Sequence, residues 1–174
     1  MLQCSHKGTS PYKSREFIIH VLHFVAVEAD SAEEAVSTVD TALDSDIFDW
    51  SDWAVVGGRW EDRFGKVISY KEDPTKFHEA LGRARDNRKE EVNSLLAEAD
   101  IEDILDELRN YDGNREIGWQ SYKLSQALRI ASGQGQWGNY FYDLANYSSG
   151  DEMTLKRIES DPDRQYLVAV DFHF

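Results

Sequence analysis

Residues 15–28, REFIIHVLHFVAVE, decide how this chain folds. At the two-residue period of a strand, Phe17, Ile19, Val21, Val25 and Val27 share one face, and Ile18, Leu22, Phe24 and Ala26 the other. Apolar side chains on both faces predict a central strand, covered at least in part on two sides. His20 and His23 interrupt the pattern, and their spacing puts them on opposite faces of a regular strand. Immediately downstream, Ser31 and Glu34 form a capping box, each side chain satisfying the other residue's backbone N–H. Ala35, Val36, Val39 and Leu43 then mark one face of a helix ending near Asp44.

The far end of the chain repeats the strand signal. In YLVAVDFHF, residues 166–174, Tyr166, Val168, Val170, Phe172 and Phe174 alternate with Leu167, Ala169, Asp171 and His173. Between the two strands, residues 53–56 read as a short strand, Gly57-Gly58 as a hairpin-type turn and residues 59–64 as its return. Gly65 allows a bend before Val67, Ile68 and Tyr70. Asp73-Pro74 opens a helical region with stretches over 74–99, 101–111 and 120–132. Residues 140–142 read as a short strand, and 153–158 suit either strand or helix. This order predicts an α+β fold, a ferredoxin-like α/β sandwich whose antiparallel sheet has helices packed on one face, with 74–132 as a helical insertion. A single domain spans 1–174, with 1–14 as a flexible tail. In that topology the first and last strands are antiparallel neighbours, which brings His20 and His23 towards Asp171 and His173.

The chain's 174 residues carry 19 Lys and Arg against 33 Asp and Glu, a net charge of −14. So acidic a protein lacks the basic footprint of a general nucleic-acid binder. The run from Phe17 to Val27 is too short for a membrane span, residues 1–6 show no signal-peptide pattern, and a lone Cys4 cannot form an internal disulfide. The expectation is a cytoplasmic protein without cofactor, able to form a homo-oligomer. The charge is blocked. Residues 16–58 hold ten acids and no Lys or Arg, 59–89 hold nine bases and six acids, and 90–114 hold nine acids and one Arg. The densest block contains Glu98, Asp100, Glu102, Asp103, Asp106 and Glu107. It reads as a solvated helix face, as an acidic surface for a protein partner, or as a mimic of nucleic-acid phosphates.

The most unusual local feature is Asp49-Trp50-Ser51-Asp52-Trp53 followed by Gly57-Gly58-Arg59-Trp60. Tryptophan and arginine are enriched at binding hot spots, and glycines let backbone N–H groups approach a ligand. Trp50, Trp53, Gly57, Gly58, Arg59 and Trp60 are therefore candidate contacts for a host protein or for a small nucleotide, the indoles stacking on a base and Arg59 holding phosphate. The bland alternative has Trp53 and Trp60 covering the end of the sheet, with Arg59 paired to Asp49 or Asp52. The pattern Asp52-Trp53 … Gly57-Gly58-Arg59-Trp60 resembles the DW…GGRW motif of small uncharacterised proteins of bacteriophages and other mobile elements. The VEADSAEEAV stretch and the Val-Asp-Phe-His ending are similar to the same group. What this resemblance implies is a phage accessory or anti-defence context, with no catalytic residues to carry over.

His20, His23, Asp171 and His173 have acid–base or metal-ligand character, but regular strands do not converge them on one ion. Gly133-Gln-Gly-Gln-Trp-Gly reads as a flexible loop rather than a phosphate cradle. The function expected is a non-enzymatic protein-binding module. The alternatives are a nucleotide-signal binder, an acidic DNA mimic and, last, an enzyme acting near His20, Asp171 and His173.

Overall fold

The computed structural model describes residues 20–48, 51–113, 118–132, 140–147, 149–150 and 152–173. Its centre is the pair β1 (His20–Glu28) and β5 (Gln165–His173), antiparallel over their full length from His20↔His173 to Glu28↔Gln165. On the outer edge of β1 lies the short parallel strand β4 (Phe141–Asp143). The free edge of β5 is shared end to end by two short strands. β2 (Trp53–Val56) pairs with residues 170–173 and β3 (Val67–Ser69) with 166–168, both antiparallel. The protein is thus mixed α+β, with an open, mostly antiparallel five-stranded sheet.

Both faces of the sheet are covered. Leu22, Phe24, Ala26, Leu167 and Ala169 meet Phe77, Ala80, Leu81 and Ala84 of α3 (Pro74–Ala97) and Ile158 of α6 (Glu152–Ser160). Val25, Val27, Val168, Val170 and Phe172 meet Ala35, Val39 and Ala42 of α1 (Ala32–Leu43), together with Phe48. Placing helices on one face is corrected by this arrangement. Its cause is the two-sided apolar pattern of β1 and β5, which one helical layer would leave half in water.

A second correction falls at Gly57-Gly58. β2 and β3 do not pair with each other, and residues 59–64 are not a strand. Gly57 and Gly58 have φ of 76° and 54°, and the chain winds into a 3-10 turn (Gly58–Trp60) and the one-turn helix α2 (Glu61–Phe64). It then reverses at Gly65 (φ 75°) into β3.

The predicted helical region is helical. In α3 the Asp73 side chain accepts from the Lys76 N–H and Pro74 occupies the first turn. In α4 (Ile101–Arg109) the Asp100 carboxylate caps the N–H groups of Glu102 and Asp103. The first half of α3 covers the sheet, and α5 (Trp119–Ala131) packs against α3 and α4. Residues 153–158 belong to a helix, α6. A buried ionic node fastens it, because the Asp143 carboxylate at the end of β4 binds the Thr154 hydroxyl and the Arg157 guanidinium, which also reaches Gln165 Oε1. The tail over 1–14, Trp50 and the Gly-rich 133–138 segment lie outside the described residues.

Candidate functional site

The antiparallel pairing of β1 with β5 sets His20 diagonally across from Asp171 on the sheet face that α3 covers. Asp171 is 2 % exposed, and a carboxylate at that depth needs donors. His20 Nδ1 lies 3.1 Å from Oδ1 and 3.2 Å from Oδ2. The other donors come from the Gly57–Trp60 turn. The Arg59 backbone N–H reaches Oδ2 at 3.2 Å and the Trp60 indole N–H reaches Oδ1 at 3.2 Å, with Arg59 Nε at 3.9 Å. Gly57 N–H donates to Ala169 O at 2.8 Å, which stitches the same turn to β5.

The motif Gly57-Gly58-Arg59-Trp60 is therefore wrapped around a buried carboxylate. Three of its backbone N–H groups, those of Gly57, Arg59 and Trp60, and one indole N–H are engaged within the protein. Arg59 pairs with Asp171, and Asp52 lies 3.5 Å from His173 Nδ1, while Asp49 lies outside the described residues. The Trp53 ring, 45 % exposed, stacks on His173 with centroids 5.1 Å apart. Trp60 packs against the core.

His20 and Asp171 come together as the strand pairing implied, whereas His23 is turned to the other side, its ring against Phe172 and Tyr140. Burial pulls the His23 pKa down from 6.5 to about 4, a backbone hydrogen bond to Val21 partly opposing it. Among the described residues no group of three or more His, Cys, Asp and Glu is arranged to hold a metal ion, and no helix is long and apolar enough to cross a membrane.

Beside His20 the sheet edge, α2 and α3 leave a cleft of about 310 Å3. Its walls include Trp60, Arg63, Phe64, Arg83, Asn87 and Tyr140. The guanidinium carbons of Arg63 and Arg83 each lie 5.2 Å from the centroid of the Phe64 ring. Sequence reasoning missed both arginines. The available signal was the locally basic stretch after residue 58, read together with a turn that places α2 opposite α3.

The acidic residues divide into two groups. Glu98 pairs with Lys123 at 3.0 Å, and Glu107 accepts the N–H groups of Ser121 and Gln120 at the start of α5. Ser121 and then Gln120 hold the Glu107 carboxyl below its usual pKa. Asp106 pairs with Arg109, whereas Glu102 and Asp103 cap nothing with their side chains and stand in solvent. Between these acids α4 exposes an apolar stripe. Ile101, Leu105 and Leu108, at i, i+4 and i+7, are 61 %, 39 % and 53 % exposed, while Ile104 on the neighbouring flank is buried.

No family model, no curated protein and no solved structure matches the chain.

Proposed function

We propose that this protein is a non-enzymatic binding module that docks on another protein through α4. The observation that carries this reading is the stripe Ile101, Leu105 and Leu108, apolar and exposed on a helix whose flanks bear Glu102, Asp103 and Asp106. An apolar centre with a polar, charged rim is the anatomy of a docking surface. Its acidic flanks select a partner with a basic rim around an apolar groove, and they speed encounter with it. A phosphate mimic would present its carboxylates without an apolar stripe, and Glu98 and Glu107 already serve partners within the fold. The DW…GGRW resemblance to phage and mobile-element proteins suggests that the partner is a host protein in the cytoplasm, inhibited or redirected on binding.

The test is a comparison of tagged full-length proteins in host lysate. Wild type and a Trp53→Ala control should retain the same stoichiometric basic protein, released by raised salt. Leu105→Glu should lose it, a loss of ~2 kcal/mol or more in affinity. Retention of the partner by Leu105→Glu, or self-association through α4 in sedimentation, overturns the proposal.

A further inference from the structure

We infer that the cleft between His20, α2 and α3 is a second binding site, for a phosphate-bearing ring compound of mononucleotide size. It is separate from the α4 surface and does not depend on that reading.

The charge distribution is the first support. In a chain with 33 acidic residues and 19 basic ones, Arg63 and Arg83 approach the same Phe64 ring from two different helices. Among the described residues neither has an ion-pair partner, so their N–H groups remain available to an anion. Two guanidinium groups lining one cleft suit a phosphate, which accepts several charge-assisted hydrogen bonds at once.

The second support is His20. Its Nδ1 is held by Asp171, and Asp171 is held in turn by Arg59 and Trp60, so the ring is fixed and Nε2 is the nitrogen left for a ligand. This is the chemical consequence of the GGRW turn: it organises a histidine at the cleft instead of offering its own N–H groups.

The third support is polarity along the cleft. The same walls carry Trp60, Tyr140 and Asn87, side chains whose rings and amide suit an aromatic base. Burial, reinforced by the charges of Glu91 and then Glu90 and by a hydrogen bond to Glu91, pushes the Tyr140 phenol up to about 12. Glu90 and Glu91 line the adjoining hollow with Tyr140. Their charge repels phosphate from that end and favours sugar hydroxyls or a base amino group there. A volume of about 310 Å3 accommodates one nucleotide unit and not a long polymer.

The test is calorimetric titration of the full chain with adenosine and guanosine monophosphates, adenosine alone and inorganic phosphate, with tryptophan fluorescence as a second readout. At least one mononucleotide should bind with a Kd on the order of 10–100 µM. Adenosine and phosphate should each bind at least about tenfold more weakly than that mononucleotide. The double variant Arg63→Gln, Arg83→Gln should lose about a hundredfold in affinity at an unchanged urea midpoint, because both side chains are exposed. His20→Gln should lose less and keep the same order of ligand preference. No mononucleotide binding at 1 mM, equal binding of phosphate alone, or full affinity in the arginine double variant overturns the inference.

Discussion

Gly58 lies directly against Asp171: a Cβ built on the glycine would stand 2.5 Å from the aspartate Cβ and 2.7 Å from Oδ2. The turn approaches the carboxylate this closely because two of its donors must reach an acid that sits below the surface of the sheet. With φ at 54°, the glycine also holds a backbone conformation that a side chain disfavours. Gly58→Ala should therefore destabilise the fold by about 2–4 kcal/mol, from left-handed strain and overpacking together. Gly82, inside α3, has no heavy atom within 4 Å of such a Cβ. Gly82→Ala should raise stability by up to about 1 kcal/mol, since alanine is the better helix former. Urea unfolding of the two variants beside wild type measures both, and equal effects of the same sign would refute the structural account of the turn.

Removing the acid itself tests the other side of that contact. Asp171→Ala leaves the Arg59 N–H, the Trp60 indole N–H and His20 Nδ1 without their acceptor in a buried place. Unsatisfied donors of this kind cost about 1–3 kcal/mol each, and partial relaxation makes a loss of about 3–5 kcal/mol the expected result. Asp171→Asn keeps one acceptor oxygen and should lose less than half of that. Trp60 emission, reporting on its released N–H, should shift in the alanine variant at denaturant concentrations where the chain is still folded.

The central strand pair was legible in the sequence because β1 and β5 are long, strongly alternating and apolar on both faces. Their pairing correctly brought His20 to Asp171. The same two-sided pattern implied two helical layers, which a ferredoxin-like sandwich with helices on one face does not supply. The Gly57-Gly58 turn was misread because glycine pairs are ambiguous. They permit positive φ in a hairpin, and they permit it equally in a turn that folds back on a carboxylate more than a hundred residues away. Nothing local identifies Asp171 as that acceptor. The arginine pair at the cleft was invisible for a similar reason, since Arg63 and Arg83 belong to separate helices and both reach the Phe64 ring only in the folded chain. On α4 the apolar spacing of Ile101, Ile104, Leu105 and Leu108 is legible as a helical stripe, but only packing shows that Ile104 is buried and the other three are left bare.

The node at the end of β4 makes a separate prediction. Asp143 is fully buried and is held by Thr154, the Asn146 amide and Arg157. Arg157→Leu removes the cation paired with it among the described residues and leaves the carboxylate dependent on neutral donors. A broken buried pair of this kind costs about 3–5 kcal/mol. The double change Asp143→Asn, Arg157→Leu removes the stranded charge and should recover part of the loss. Comparing thermal midpoints of the single and double variants reads this directly. No recovery in the double variant would mean that Arg157 acts through packing and its bond to Gln165 rather than through charge.

His23 should make the fold sensitive to mild acid. In the native state its pKa is about 4, whereas an unfolded chain would return it to the ordinary histidine value of 6.5. Between those two values the unfolded chain binds a proton that the native protein does not, so stability rises with pH across this window. Above about pH 6.5 the full contribution is present. As pH falls towards 4 it is progressively lost, and below that both states are protonated and the loss levels off. At about 1.4 kcal/mol per pH unit, the gap corresponds to roughly 3 kcal/mol. His23→Leu, which retains an apolar side chain of similar reach between Phe172 and Tyr140, lacks the proton and should show a flatter profile. Urea unfolding of both proteins at half-unit steps from pH 7.5 to pH 4 compares them with the carboxylate contributions held in common. Parallel profiles would show that His23 is not the group that couples folding to protons.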